Sequence, residues 1–258
     1  MIRVVAAYLY KYYWEQRYYL ANYLFELLGH LLFFLGLFLL FFRGDPVRFL
    51  QGLMGFLLWM ASLSIMYESA ILVWEDSLLG TLEHIYMSPQ PFWGILLGRT
   101  VANLAIHTVL YAVFLVGALG FYRLTGHPLT FPTVPWPWVG LATLGMFFAC
   151  WGMGLALFGV ALVIKRAGSV TGFLYWVLFF TSGALFSVSD TSGWLLRLAR
   201  LTPIGPAGLM MATAVQGGHP ERLVGLLGLN AALYVLLGFV LMHWGLDRAR
   251  RTGKMARY

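Results

Sequence analysis

Charge is what this chain has least of. Only 10% of its 258 residues are Asp, Glu, Lys or Arg, against about 25% in a soluble domain. So few charges cannot cover a water-facing surface, which argues against a soluble globular enzyme. A hydrophobic content of 60% argues equally against a disordered or collagen-like chain. Cysteine is nearly absent: Cys150 stands alone, with no disulfide partner and no companion thiolate for a metal. No phosphate-binding loop occurs, because Gly253 and Lys254 are followed by Met255 and Arg248 occupies the position of the leading glycine. Neither an H-E-x-x-H motif nor a paired-cysteine motif is present, so a metal site has no support. The first 23 residues are interrupted by Arg3, Lys11, Glu15 and Arg17, a pattern unlike a cleavable signal.

What is present is apolar length. Six runs stand out, at 24–42, 49–73, 95–121, 139–164, 169–188 and 223–246. Each approaches or exceeds the roughly 20 residues that cross a bilayer as a helix. In lipid every backbone group must be satisfied within the segment, so these runs are predicted to be helices. The short alternating segments of a barrel are absent. The expected fold is an all-α integral membrane protein with six transmembrane helices, forming one domain over 1–258.

Breakers separate the runs. Arg43, Gly44, Asp45 and Pro46 turn the chain after the first. Residues 125–137 hold Gly126, Pro128, Pro132, Pro135 and Pro137, with Trp136 and Trp138 at the interface-loving end. Residues 189–218 are different: Arg197 and Arg200 precede Pro203 and Pro206 in a moderately apolar stretch. That stretch is too broken and too charged for a simple span, and a short re-entrant hairpin shielded by protein is expected.

An even number of spans puts both termini on one side. With the termini inside, eleven of the seventeen Lys and Arg residues fall on the cytoplasmic side and six outside. The positive-inside rule therefore places both ends in the cytoplasm, and it accounts for the net charge of +7 without nucleic acid. Seven of the fourteen tyrosines lie in residues 1–23. An apolar ring with a polar tip suits the headgroup layer, so this segment is predicted to be an interfacial helix.

The loop at 74–94 is acidic although its predicted side is the basic one. Glu68, Glu75, Asp76 and Glu83 fall within 16 residues, and Leu78, Leu79, Leu82, Ile85 and Tyr86 recur at helical spacing. Ser88, Pro89 and Pro91 end the pattern. A short helix with one acidic and one apolar face suits docking to a soluble partner; a solvated loop is the competing reading. Within the spans, Glu26 and His30 stand four apart on one helix face, as do Asn103 and His107. Polar residues at membrane depth are functional candidates, and interhelical bonding is their competing role. Ser182 and His243 are the pair an intramembrane protease would need, but Phe180 stands where such a site carries glycine.

Residues 75–89, EDSLLGTLEHIYMSP, followed by ILLGR at 95–99, resemble the G-T-[LI]-E-x-[LI]-x-x-[ST]-P…ILLGK stretch of ABC-2-type transporter permeases. Residues 187–205 resemble the segment before the last span of that family through Trp194, Leu195, Leu201, Thr202, Pro203 and Ile204. They depart from it where Val188, Ser189 and Asp190 replace its first prolines. Length and span number agree along nearly the whole chain. The resemblance implies a dimer of six-span permease subunits in the inner membrane, homo- or heteromeric, surrounded by lipid and paired with separate ABC ATPase subunits. Those partners would bind ATP and Mg, and this chain would hold no cofactor. The helix within 74–94 would be a coupling helix, with Glu75, Gly80, Thr81, Leu82, Glu83 and Pro89 matching the motif. Glu75 and Glu83 would make polar contacts with the ATPase and Leu82 an apolar one, while bracing within the permease is the other role open to Glu83. Glu26 and His30 would line a substrate path or pair across the dimer. The cargo implied is an amphiphilic, lipid-linked or drug-like molecule, moved by alternating access. A six-span channel or scaffold that recruits a cytoplasmic protein without ATP coupling is the alternative.

Overall fold

The computed structural model describes residues 2–42, 45–78, 85, 87–127, 134–164, 168–185 and 193–251. The α-helices, in chain order, are α1 (Ile2–Tyr18), α2 (Leu20–Leu37), α3 (Pro46–Leu78), α4 (Phe92–Leu124), α5 (Trp136–Ile164), α6 (Gly168–Thr181), α7 (Trp194–Leu201), α8 (Gly205–Val215) and α9 (Val224–Arg251). A π-helical turn, Phe38–Phe42, finishes α2, and a 3-10 turn, Pro220–Leu223, leads into α9. No strand occurs among the described residues. Five of these helical stretches are long and apolar enough to cross a membrane: Leu20–Phe41, Pro46–Met66, Phe92–Leu124, Trp136–Ile164 and Pro220–Arg251.

Local chemistry sets the helix starts. Asp45 accepts hydrogen bonds at Oδ1 from the Val47 N–H (2.9 Å) and the Arg48 N–H (3.2 Å). It thereby caps α3, while Pro46 fills the first helical position, where no N–H is required. Pro91 plays the entry role for α4, its carbonyl accepting from Gly94 and Ile95. Pro137 sits in the first turn of α5, where proline is tolerated.

α3 and α5 form the centre, and α2, α4 and α9 surround them with apolar side chains facing outward. The core is aromatic. Phe56 stacks on Phe114 at 5.2 Å, Phe49 on Tyr122 at 4.2 Å, and Trp59 packs edge-on against Tyr175 at 4.7 Å. The Trp59 indole also donates to the Tyr175 carbonyl at 3.1 Å, tying α3 to α6.

The tightest contact is between α5 and α9. Gly145, Gly152 and Gly159 recur every seven residues on α5, and Gly238 and Gly245 repeat the interval on α9. A Cβ on Gly152 would overlap the backbone of Tyr234, one on Gly159 the backbone of Leu241, and one on Gly245 the backbone of Gly159. Backbone meets backbone along this seam, which is how membrane helices gain packing without a hydrophobic drive between them.

Two breaks position the rest. α6 ends at Thr181, and Gly183 takes a φ of 87° that only glycine adopts without strain. A Cβ on Gly55 would strike the Gly183 carbonyl, so the turn lies directly on α3. With 14 residues, α6 spans about 21 Å at 1.5 Å per residue, short of a hydrocarbon core of roughly 30 Å. The second break joins α7 to α8 at Thr202. Its hydroxyl donates to the Ala199 carbonyl (2.9 Å) and accepts from the Gly205 N–H (3.2 Å). α8 is buried along almost its whole length against α3 and α5.

Candidate functional site

Four of the sequence-predicted coupling residues, Gly80, Thr81, Leu82 and Glu83, lie outside the described residues. Glu75 is part of α3, but its side chain is outside them too. Pro89 is exposed in the turn that precedes α4. Next to this region the structure places two features that can be built residue by residue.

The first is a buried charge. Arg99 lies in the second turn of α4 with its side chain 3% exposed. Its Nη1 donates to Asp76 Oδ2 at 3.0 Å, and its Nε donates to the Tyr12 hydroxyl at 2.9 Å. The guanidinium also lies over the Tyr8 ring, 5.6 Å from its centre. One side chain thus joins the last turns of α3, the start of α4 and the middle of α1. α1 can come this close because Gly98 leaves room for Val4. Asp76 reads in the sequence as one more acid of an exposed loop. The antiparallel arrangement of the second and third runs was the available signal: Asp76 follows the end of one and Arg99 follows the start of the next, so they share a level.

The second is a cavity of about 790 Å³ between α1, α2, α3, α4 and α6. Ligand pockets of small molecules occupy roughly 300–1,000 Å³. Lys11, Tyr12 and Glu15 of α1 stand at the end where Arg99 also reaches it. Deeper, α2 contributes Tyr23, Glu26 and His30, and α4 contributes Asn103, His107 and Tyr111. Ser64 and Met60 come from α3, and Tyr175 and Leu178 from α6. The polar wall is braced from behind. Asn103 Nδ2 donates to the Ser64 carbonyl (3.2 Å), and Tyr111 donates to the Met60 carbonyl (3.1 Å) while accepting from the Ser64 hydroxyl at 2.5 Å.

Both histidines are oriented the same way. Nδ1 of His30 lies 3.0 Å from the Glu26 carbonyl, and Nδ1 of His107 lies 3.0 Å from the Asn103 carbonyl. A peptide carbonyl only accepts, so Nδ1 carries the proton and, in the neutral ring, Nε2 is an acceptor. The structure brings Glu26 and His30 of α2 and Asn103 and His107 of α4 to one cavity. Tyr111, Tyr175 and Ser64 share the cavity and had no part in the sequence reading; Tyr23 entered it only as an interfacial tyrosine, and Glu15 only as a charge interrupting the first 23 residues. The protease pair is not brought together in any such arrangement. Ser182 is fully buried and spends its hydroxyl on its own turn, donating to the Phe179 carbonyl at 2.8 Å and accepting from the Ala184 N–H at 3.1 Å. His243 lies on an exposed face of α9, its Nδ1 on the Phe239 carbonyl.

The family model described as ABC-2 family transporter protein matches residues 44–241. This chain belongs to that family. No curated protein matches it. As an ABC-2 transporter protein the chain is a multi-pass membrane component of a transporter and not itself an enzyme, and membership implies ABC ATPase partners. The matched region takes in the whole of α3 through α8 and most of α9, so the buried Arg99–Asp76 pair lies inside it.

Proposed function

We propose that the chain is the permease subunit of an ATP-binding cassette exporter in the inner membrane. It works as a dimer with both termini cytoplasmic. Separate ATPase subunits bind ATP and Mg and press on the segment 74–94. α6 and the residues after it make the fifth of six crossings, and α1 lies in the inner interface, where its exposed tyrosines and Trp14 suit the headgroups.

The observation that carries this reading is that one residue serves both ends of the mechanism. Arg99 lines the cavity and also holds Asp76 at the root of the segment expected to meet the ATPase. A displacement of that segment is transmitted to the cavity wall through a pair of hydrogen bonds. Two states of the segment, bound differently by the ATPase before and after hydrolysis, then become two states of the cavity, as alternating access requires. An amphiphilic, lipid-linked or drug-like cargo fits a chamber lined by polar groups together with Leu, Met and Tyr.

The test is co-purification of the tagged chain with a candidate ABC ATPase, wild type against Glu83→Arg and Leu82→Asp, with ATP hydrolysis followed in lipid nanodiscs. The reading expects the wild type to retain the ATPase and both variants to lose it or uncouple hydrolysis. Indifference to both changes moves the docking site elsewhere. Failure of any ATPase to associate favours the channel or scaffold.

A further inference from the structure

We infer that the cavity is a binding site for a cationic amphiphile, with an ammonium head seated at Glu26 and an apolar tail along α3 and α6. The inference rests on the transporter reading for its purpose, and on the chemistry of the wall for its content.

The wall is rich in acceptors. Glu26 lines the cavity together with Tyr111 and Tyr175. His30 and His107 face the same space with Nδ1 committed to backbone carbonyls, so each neutral ring offers only a lone pair. Glu15 adds a second carboxylate, whose Oε2 is buried with no hydrogen-bond partner among the described residues. The guanidinium on the cavity wall is already paired. Arg99 gives Nη1 to Asp76 and Nε to Tyr12, and that pair is neutral as a unit. Lys11 remains near the mouth and offsets one carboxylate. Among the described residues two carboxyl groups stand against one ammonium. An amine with its three N–H donors answers that inventory; a phosphate or carboxylate does not.

The aromatic lining agrees. Tyr23, Tyr111 and Tyr175 line the same space as Glu26. Electron-rich ring faces stabilise a cation within about 6 Å of their centres. Leu27, Leu63, Leu174 and Leu178 supply the apolar remainder of the wall, which a hydrocarbon tail would cover.

The test is direct binding of radiolabelled dodecylamine to the permease in nanodiscs without ATPase, with empty nanodiscs as baseline. Dodecanol and dodecanoate serve as competitors of equal tail length. Saturable binding of one amine per chain is expected, displaced by neither competitor. Glu26→Gln is expected to weaken it about tenfold or more, the scale of one charged hydrogen bond, and Glu26→Asp to restore most of it. Non-saturable binding, equal competition by dodecanoate, or wild-type affinity in Glu26→Gln each overturns the inference. Hydrolysis is read separately with the ATPase present. Amine binding without any ATPase association leaves this site standing and removes the transporter reading. ATPase coupling without amine binding does the reverse.

Discussion

Arg99 and Asp76 stand 3.0 Å apart in the interior, 23 positions apart in the chain, and Tyr12 closes the group from a third helix. Removing one partner leaves the other charge buried and uncompensated, a cost of about 3–5 kcal/mol. Arg99→Met is therefore expected to be strongly destabilised on SDS titration from mixed micelles. The double variant Arg99→Met with Asp76→Leu is expected to recover much of the loss. Equal stability of Arg99→Met and wild type would falsify the account of this node. Tyr12→Phe is expected to cost less and to increase protease cleavage after α1.

The seven-residue glycine seam gives a contrast within one pair of helices. Gly152→Leu and Gly159→Leu place side chains where the backbones of Tyr234 and Leu241 lie. Both are expected to separate α5 from α9 and to lower the midpoint of thermal aggregation in detergent by many degrees. A Cβ on Gly140 or on Gly228 meets nothing within 4 Å, and Gly140→Leu and Gly228→Leu are expected to behave as wild type. If all four behaved alike, close approach would not be what these glycines provide.

Gly183→Ala tests the turn that stops α6. A left-handed backbone costs a residue with a Cβ roughly 1–2 kcal/mol, so a loss of that size is expected from equilibrium unfolding. Gly55→Ala on the facing helix is expected to cost more, because its Cβ would strike the turn's backbone.

α9 catches the break between α7 and α8. Asn230 Nδ2 donates to the carbonyls of Thr202 (3.2 Å) and Arg200 (3.4 Å), and the Tyr234 hydroxyl donates to the Leu201 carbonyl at 2.6 Å. Asn230→Asp replaces the donor with an acceptor facing two carbonyls, and a loss of about 1–3 kcal/mol is expected. Tyr234→Phe removes one bond of a half-exposed group and is expected to cost about 0.5–1.5 kcal/mol. Both are read by the same unfolding titration, and hydrogen exchange is expected to quicken in 194–204.

The helices were legible because lipid leaves an apolar run few alternatives; Asp45 and Pro46, read in the sequence only as part of a turn, prove also to start α3. The end of α6 was not legible in that way. Apolar residues continue past Thr181, and hydropathy does not register a single glycine with positive φ pressed against another helix. Glu26 and His30 drew notice as polar residues in an apolar run. Arg99 and Asp76 were not read as a pair, because each lies at the edge of a run where charge is ordinary, and only their pairing makes them unusual. The glycine interval on α5 and α9 escaped for a related reason. Glycine is common throughout this chain, and the interval carries meaning only once two helices are known to face each other.

α8 has consequences for how the protein is made. Its 11 residues extend about 16 Å, roughly half the hydrocarbon thickness. Its flanks are seated by neighbours that already stand: Gln51 of α3 donates to the Ala212 carbonyl at 3.3 Å, and Thr202 makes the corner before it. A helix this short cannot leave the insertion machinery as an anchor in its own right, because unpaired backbone groups at its ends would face hydrocarbon. It must enter against a finished wall. The order of biogenesis follows, with α3 and α5 in place before the α7–α8 hairpin folds down between them and α9 closing over the corner.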